Sequence, residues 1–270
     1  MAVIANSRVL VEAPSLTAPR YGLFAAANGP FTLPLHASGG GIEYETGLCL
    51  LPYGYAINCA EPGTKTFDES IDLVTGDPFA VVLAKQCTAV GMTPQRWARF
   101  LMEGLTAGEQ AAVEAIFSDE TFDQAPGLAN AAGVVTLAAA ANVVAGIGAL
   151  EEWLADLYGP PGVIHIPAVA AHQVQSGGGL RWDGSRWRTA LGNIVSFGNY
   201  KGLTPAGAAP AAGHTTFYIT GQVHIWRAGS VFMTPYEEAL NQATNQLFGY
   251  VEREYVVAYD CFVAGVDVTL

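Results

Sequence analysis

Residues 251–270, VEREYVVAYDCFVAGVDVTL, decide how this chain is read. Beyond Asp260, Phe262, Ala264, Val266, Val268 and Leu270 fall on one side, and Cys261, Val263, Gly265, Asp267 and Thr269 on the other. A period of two is that of a β-strand. Upstream, residues 215–227 (TTFYITGQVHIWR) are β-branched and aromatic, which also favours strands. The chain therefore closes as strand, strand, irregular stretch, strand and a final strand running to the C-terminal carboxylate. Termini usually fray, so a last strand inside a sheet ties the chain end into the core.

Moving N-terminally, residues 200–213 form a Gly/Ala/Pro loop and residues 194–197 a short strand. Residues 180–182 and 186–188 flank Asp183-Gly184, a hairpin turn signal. Residues 163–167 (VIHIP) read as a buried strand. The strongest helical signal spans residues 136–158, where Val143, Ile147, Leu150, Leu154 and Leu157 share one face. Gly159-Pro160-Pro161-Gly162 stops that helix. Thr93-Pro94 supplies an N-cap and a first-turn proline for another helix, with a stripe of Trp97, Phe100, Leu101 and Leu105. Thr106-Ala107-Gly108-Glu109 has the form of a capping box, so a second helix is expected from there with Val113, Ile116 and Phe117 inward.

Residues 78–90 (PFAVVLAKQCTAV) read as a buried strand, and residues 42–75 as two strands joined through Glu61-Pro62-Gly63-Thr64. A long hairpin cannot bury both its faces alone, so it lies on the domain or reaches a neighbour. Residues 1–40, with Pro14, Pro19, Pro30, Pro34 and the Gly39-Gly40-Gly41 break, hold no periodic core element. They read as an arm that is ordered only by lying on something else. There are no internal repeats. The order of elements is α+β.

The 270 residues are 51% hydrophobic and only 13% charged, which leaves much neutral or apolar surface for neighbouring subunits to cover. The net charge is −12, and Lys65, Lys85 and Lys201 are the only lysines. No basic cluster suited to gripping phosphates exists. The uncharged stretch 124–150 is Ala/Gly-rich and interrupted by Pro126, Asn130 and Asn142, which fits a buried helix better than a membrane span. No signal peptide precedes it. Cys49, Cys59, Cys87 and Cys261 lack metal-ligand spacing and read as reduced, buried hydrophobes, with a Cys49–Cys59 bridge across the hairpin as the alternative.

Chemistry-bearing patterns are sparse. Gly146-Ile147-Gly148 starts like a dinucleotide fingerprint but sits within a helix, where close helix–helix packing explains it better. His165 and His224 alternate with apolar neighbours in strands and read as satisfied or exposed histidines. His36, His172 and His214 show no metal spacing. Glu151-Glu152 with Asp156, and Glu237-Glu238, diverge by about 100° per residue on a helix and form no catalytic dyad. Trp182 and Trp187 with Arg181, Arg186 and Arg188 make the one basic-aromatic spot, read as a hairpin tip packed on a neighbouring subunit rather than a ligand site. The expectation is no catalytic, metal or cofactor residue, and no enzyme.

Taken in order, the elements resemble the major capsid proteins of tailed bacteriophages, with the Hong Kong 97-like fold shared with encapsulin shells. The ending, Tyr250-Val251-Glu252-Arg253-Glu254-Tyr255-Val256-Val257 followed by Cys261-Phe262-Val263-Ala264, is similar to the close of such proteins. Residues 149–158 and 220–226 look like those of actinobacterial phages. The resemblance implies an N-terminal arm at 1–40, an extended loop at 41–76, a peripheral domain at 77–126 and 214–270, and an axial domain at 127–213. It also implies a structural protein of the virion, assembled in the host cytoplasm from pentamers and hexamers into an icosahedral head. The shell would enclose double-stranded DNA without sequence-specific binding. A scaffolding protein, expected as a separate chain because the sequence starts at Met1, a portal and a decoration protein are the further partners implied; a membrane is not. Lysine–asparagine crosslinking is not carried over, since only Lys65 lies in the loop. The alternative is an encapsulin-like compartment around a cargo enzyme.

Overall fold

The computed structural model describes residues 19–46, 49–54, 65, 71–119 and 125–270. A one-turn helix, α1 (Leu23–Ala26), leads into β1 (Asn28–Thr32). The hairpin strands β2 (Ile42–Thr46) and β3 (Asp72–Gly76) pair antiparallel, with Ile42 opposite Gly76. β4 (Pro78–Thr88) precedes the long helix α2 (Pro94–Phe117). Next come β5 (Val135–Thr136), α3 (Val143–Ala155), β6 (Val163–Pro167) and α4 (Ala171–Ser176). The short hairpin β7 (Arg181–Trp182) and β8 (Trp187–Arg188) is followed by β9 (Ile194–Gly198). The remainder holds β10 (His214–Thr220), β11 (Val223–Arg227), β12 (Phe232–Met233), α5 (Tyr236–Ala239) and β13 (Leu240–Asn241). The chain closes on β14 (Gln246–Tyr259) and β15 (Val263–Thr269).

Among the described residues two large sheets form. In the six-stranded one, β4, β11, β12 and β13 all pair with β14, and β1 adds to β11. The seven-stranded one runs β5-β15-β10-β6-β9-β8-β7. Strands that are consecutive in sequence are thus split between sheets: β10 and β15 pair in one, β11 and β14 in the other. The expectation that residues 214–270 close one sheet gives way to two parallel crossings, at Gly221-Gln222 and at Asp260-Cys261-Phe262. The reason is visible in burial: β10 and β15 carry small or apolar side chains on both faces and need cover on both.

Each sheet carries one principal helix. Trp97, Leu101, Leu105, Val113 and Phe117 of α2 are buried in one core with Val81, Leu247, Val251 and Tyr255. Leu150 and Leu154 of α3 are buried in a second core with Phe217, Ile219, Val266 and Val268. Burial of each such side chain contributes about 1.5–3 kcal/mol. A Cβ on Gly146 would lie 2.6 Å from Val268 Cγ2, so this glycine lets α3 approach a strand. The close contact is helix on sheet, not helix on helix.

Several expectations change. α2 is one helix of 24 residues, because its buried stripe continues through Leu105, Glu109 and Val113. Glu109, which would have closed a capping box, instead accepts from Arg253 Nη1 at 2.6 Å and from Tyr255 Oη at 2.6 Å. α3 starts at the Asn142 N-cap, whose side chain accepts from Ala145 N at 2.9 Å, and residues 135–136 are strand. β4 buries only Phe79 and Val81 rather than its whole length. From Pro19 the arm lies on its own chain: Leu23 is fully buried and its amide donates to Glu114 at 2.8 Å. Cys49 and Cys261 form a disulfide with Cα atoms 5.3 Å apart, so neither is a reduced core thiol and Cys49 does not pair with Cys59. The Glu61-Pro62-Gly63-Thr64 turn lies outside the described residues.

Glu109 and Arg253 form a largely buried pair, with Arg227 Nη1 farther off at 3.6 Å, and losing Arg253 leaves the buried carboxylate underpaired. Arg253→Met alone should lower stability by about 3 kcal/mol in urea unfolding of the subunit, and Glu109→Gln with Arg253→Met should recover part of that loss. A double variant as unstable as the single one would show that the charge is not the cause.

Candidate assembly interface and its fastening

The hairpin is held where the chain crosses between sheets. Tyr44 Oη of β2 donates to Asp260 Oδ1 at 2.8 Å, and Tyr158 Oη donates to Oδ2 at 3.1 Å. His224 Nε2 lies 3.4 Å from Oδ1, and its ring meets the Tyr44 ring edge-on at 5.5 Å. Burial by itself raises the Asp260 carboxyl pKa, but the contacts from His224, Tyr44 and Tyr158 outweigh it and hold the group below the usual carboxylate value. Burial, with the neighbouring carboxylate, pushes the Tyr44 hydroxyl up. The next residue, Cys261, carries the disulfide to Cys49. In a chain-entropy picture a bridge across 212 residues is worth about 5 kcal/mol.

Large apolar side chains stand exposed on the hairpin and on the six-stranded sheet. On the hairpin these are Leu50, Tyr53, Ile71 and Leu73, with Ile71 68% accessible. Across the six-stranded sheet, α2 covers one face only. The other presents Val82, Tyr250, Phe248 and Phe232, with Phe248 64% accessible and the Phe232 and Tyr250 rings 5.4 Å apart. Val82 pairs with Glu252, Ala84 with Tyr250 and Gln86 with Phe248, so the exposed residues form a continuous strip. This geometry offers flat contact area in which apolar side chains are prominent.

The histidines and carboxylates singled out in the sequence fall apart in space. His165 sits fully buried with Nδ1 3.1 Å from Tyr200 Oη and Nε2 3.0 Å from Thr220 Oγ1; burial lowers its pKa to about 3. It is the satisfied core histidine of the two readings. His214 Nδ1 lies 2.9 Å from Asp267 Oδ2, across the paired strands β10 and β15. Glu151 accepts from Thr189 Oγ1 and from Asn193 Nδ2 and so binds the 189–193 turn to α3. At the Asp183-Gly184 hairpin, Trp182 and Trp187 pack on Tyr21 of the same chain, at 5.4 Å and 6.2 Å, and Trp182 stays exposed. Arg188 Nε pairs with Asp183 at 2.5 Å and Arg186 Nη2 donates to Ala27 O at 3.2 Å. Among the described residues, no group of three metal-ligating side chains occurs and no helix is long and apolar enough to cross a membrane.

Sequence reasoning missed the polar groups that organise the molecule: Asp260, Tyr44, Glu109 and Glu114. Glu114 accepts from Leu23 N and from Asn199 N at 2.6 Å; burial raises its pKa, against the lowering effect of those bonds. The available signal was a lone carboxylate interrupting an apolar run, as Asp260 does between Tyr259 and Cys261.

No protein-family model and no curated protein matches the chain. Solved structures do. The capsid of an empty GTA particle matches at TM-score 0.60 and 12% identity over 99% of this chain and 96% of that one. A chain of Mycobacterium phage Cain matches at TM-score 0.55 and 15% identity, covering 95% and 94%. The acid-stable capsid of Helicobacter pylori bacteriophage KHP30 matches at TM-score 0.55 and 11% identity, covering 99% and 97%. The chain has the Hong Kong 97-like α+β fold of these proteins.

Among the perturbed groups, His165 and Asp260 favour the fold at higher pH, whereas Glu114, raised by burial, opposes them in the acid range. His165 is neutral in the fold down to about pH 3 but titrates near 6.5 when unfolded, so its contribution is present above 6.5 and is lost as pH falls. Stability should drop by up to about 1.4 kcal/mol per pH unit between pH 6 and 4, and His165→Asn should flatten that slope. Asp260, depressed from 3.8, adds stability above that value and loses it only at lower pH. An unchanged slope in His165→Asn would contradict the assignment.

Proposed function

We propose that this chain is the major capsid protein of a tailed double-stranded DNA bacteriophage, a structural subunit that assembles with copies of itself into an icosahedral shell. The observation that carries this reading is the exposed apolar strip on β4 and β14 beside the apolar hairpin, in a chain that matches capsids over almost its full length. Burying those surfaces between copies removes apolar area from water and supplies affinity. The net charge of −12 then suits a wall that encloses DNA without gripping it.

In this reading residues 1–40 are the arm and 41–76 the extended loop. The six-stranded sheet with α2 is the peripheral domain, and the seven-stranded sheet with α3 and α4 the axial domain. Residues 214–220 and 263–270 then join the axial part, because β10 and β15 pair there. A scaffolding protein, a portal and a decoration protein are the partners such a shell would use, and assembly would take place in the host cytoplasm. No feature of the chain favours the cargo compartment over the phage head.

Size-exclusion chromatography and negative-stain imaging of native material should give particles far larger than one chain, with absorbance at 260 nm exceeding that at 280 nm when they derive from virions. A clean monomer or dimer would overturn the shell reading, and protein-filled particles would overturn the phage head. Because Leu23 is core, an arm truncation must stop before Pro19. Deleting residues 1–18 should abolish regular particles while leaving subunit melting within about 2 °C of the full chain. Normal particles from that deletion would refute the arm's role.

A further inference from the structure

The two fastenings of the hairpin fall on adjacent residues of the crossing and differ in kind. Tyr44 to Asp260 is a hydrogen bond at the hairpin base. Cys49 to Cys261 lies farther out, beyond Thr46, and is covalent. Both cysteines are partly exposed, and both line a cleft of about 600 Å³ with Trp153, Leu157 and Phe262. A disulfide in that position is within reach of small thiols and disulfides, whereas one sealed in a core is not. Immediately past Cys49 stand exposed Leu50, Leu51 and Tyr53, with Leu51 against Gly159.

We propose that Cys49 and Cys261 are a redox latch: the dithiol removes the covalent tie between residues 49–54 and the crossing between the two sheets, and the disulfide fixes them there with their apolar side chains. Closure is a two-electron oxidation by a low-molecular-weight disulfide of the oxidised-glutathione class. One cysteine thiolate attacks that reagent, forms a mixed disulfide and expels one thiolate, which takes up a proton. The second cysteine, giving up its proton, attacks the mixed disulfide at the protein sulfur and expels the other. Two protein S–H bonds become one S–S bond, and the reagent's S–S bond becomes two S–H bonds. A reducing cell interior favours the open dithiol and an oxidising medium the closed latch. The latch would therefore leave the hairpin adjustable while copies associate and set it afterwards. That consequence rests on the shell reading, whereas the latch itself does not.

The test uses the full chain, incubated with dithiothreitol or oxidised glutathione, alkylated, and digested with trypsin without further reduction. After oxidation the peptide 21–65 should remain joined to 254–270. The pair should be absent after dithiothreitol, absent in Cys49→Ser and in Cys261→Ser, and retained in Cys59→Ser. Cleavage of the folded chain after Lys65 should slow by about fivefold on oxidation, and in Cys49→Ser it should ignore both reagents. A pair that never forms, a pair that survives dithiothreitol, or a cleavage rate indifferent to a pair that does form would each overturn the latch. Absence of shells would overturn the shell reading alone, since both readouts are taken on subunits.

Discussion

The structure depends on one constraint: the chain passes from one sheet to the other twice, and both passages run side by side. Gly221 donates its amide to Phe262 O at 3.1 Å, and Asp260 donates its amide to Gln222 O at 2.9 Å. Any Cβ on Gly221 would sit inside the radius of the Asp260 carbonyl oxygen, so only glycine lets the strands approach this closely. Through these bonds β10 and β15 are committed to one sheet and β11 and β14 to the other. The two cores are thereby held to each other by backbone, not by side chains alone.

Everything that reaches outward is fastened to this crossing or near it. Tyr44 and Cys49 bring the hairpin to Asp260 and Cys261. Glu114 brings Leu23 of the arm, and Asn199 just past β9, to the long helix. A buried carboxylate is costly unless its lone pairs are filled, so these ties are specific about geometry as well as favourable in energy. The apolar hairpin and the open face of β4 and β14 are then presented at fixed positions. Rigid presentation of apolar surface is what association between copies requires, because ordering a loose segment on binding would consume affinity.

The strands and helices were legible where side-chain period alone determines them. The VIHIP strand, the hairpin strands at 42–46 and 72–76, the Asp183-Gly184 hairpin and the stripe from Val143 to Leu154 follow from alternation or helical spacing. Sheet membership was not legible. Nothing local to residues 221 or 260 tells which sheet the next strand enters, since that depends on partners such as His165 opposite Tyr218. The capping-box reading failed for the same reason: Thr106 and Glu109 satisfy a local rule, but Arg253 and Tyr255 compete for the carboxylate from far along the chain. The fastening site escaped notice because its members, Tyr44, Cys49, Tyr158, His224, Asp260 and Cys261, are distant in sequence and ordinary one by one. What the Glu252-Arg253-Glu254 ending did carry is Arg253, whose guanidinium reaches the buried Glu109.

The most direct measurement is a cryo-electron microscopy reconstruction of particles formed by the full chain. It should show a closed icosahedral shell in which neighbouring copies cover Leu50, Tyr53, Phe248 and Tyr250, while the crossing at Gly221 and Asp260 keeps its two sheets in the same relation in every subunit. Particles in which those side chains face solvent, or subunits whose sheets part at the crossing, would contradict the central claim.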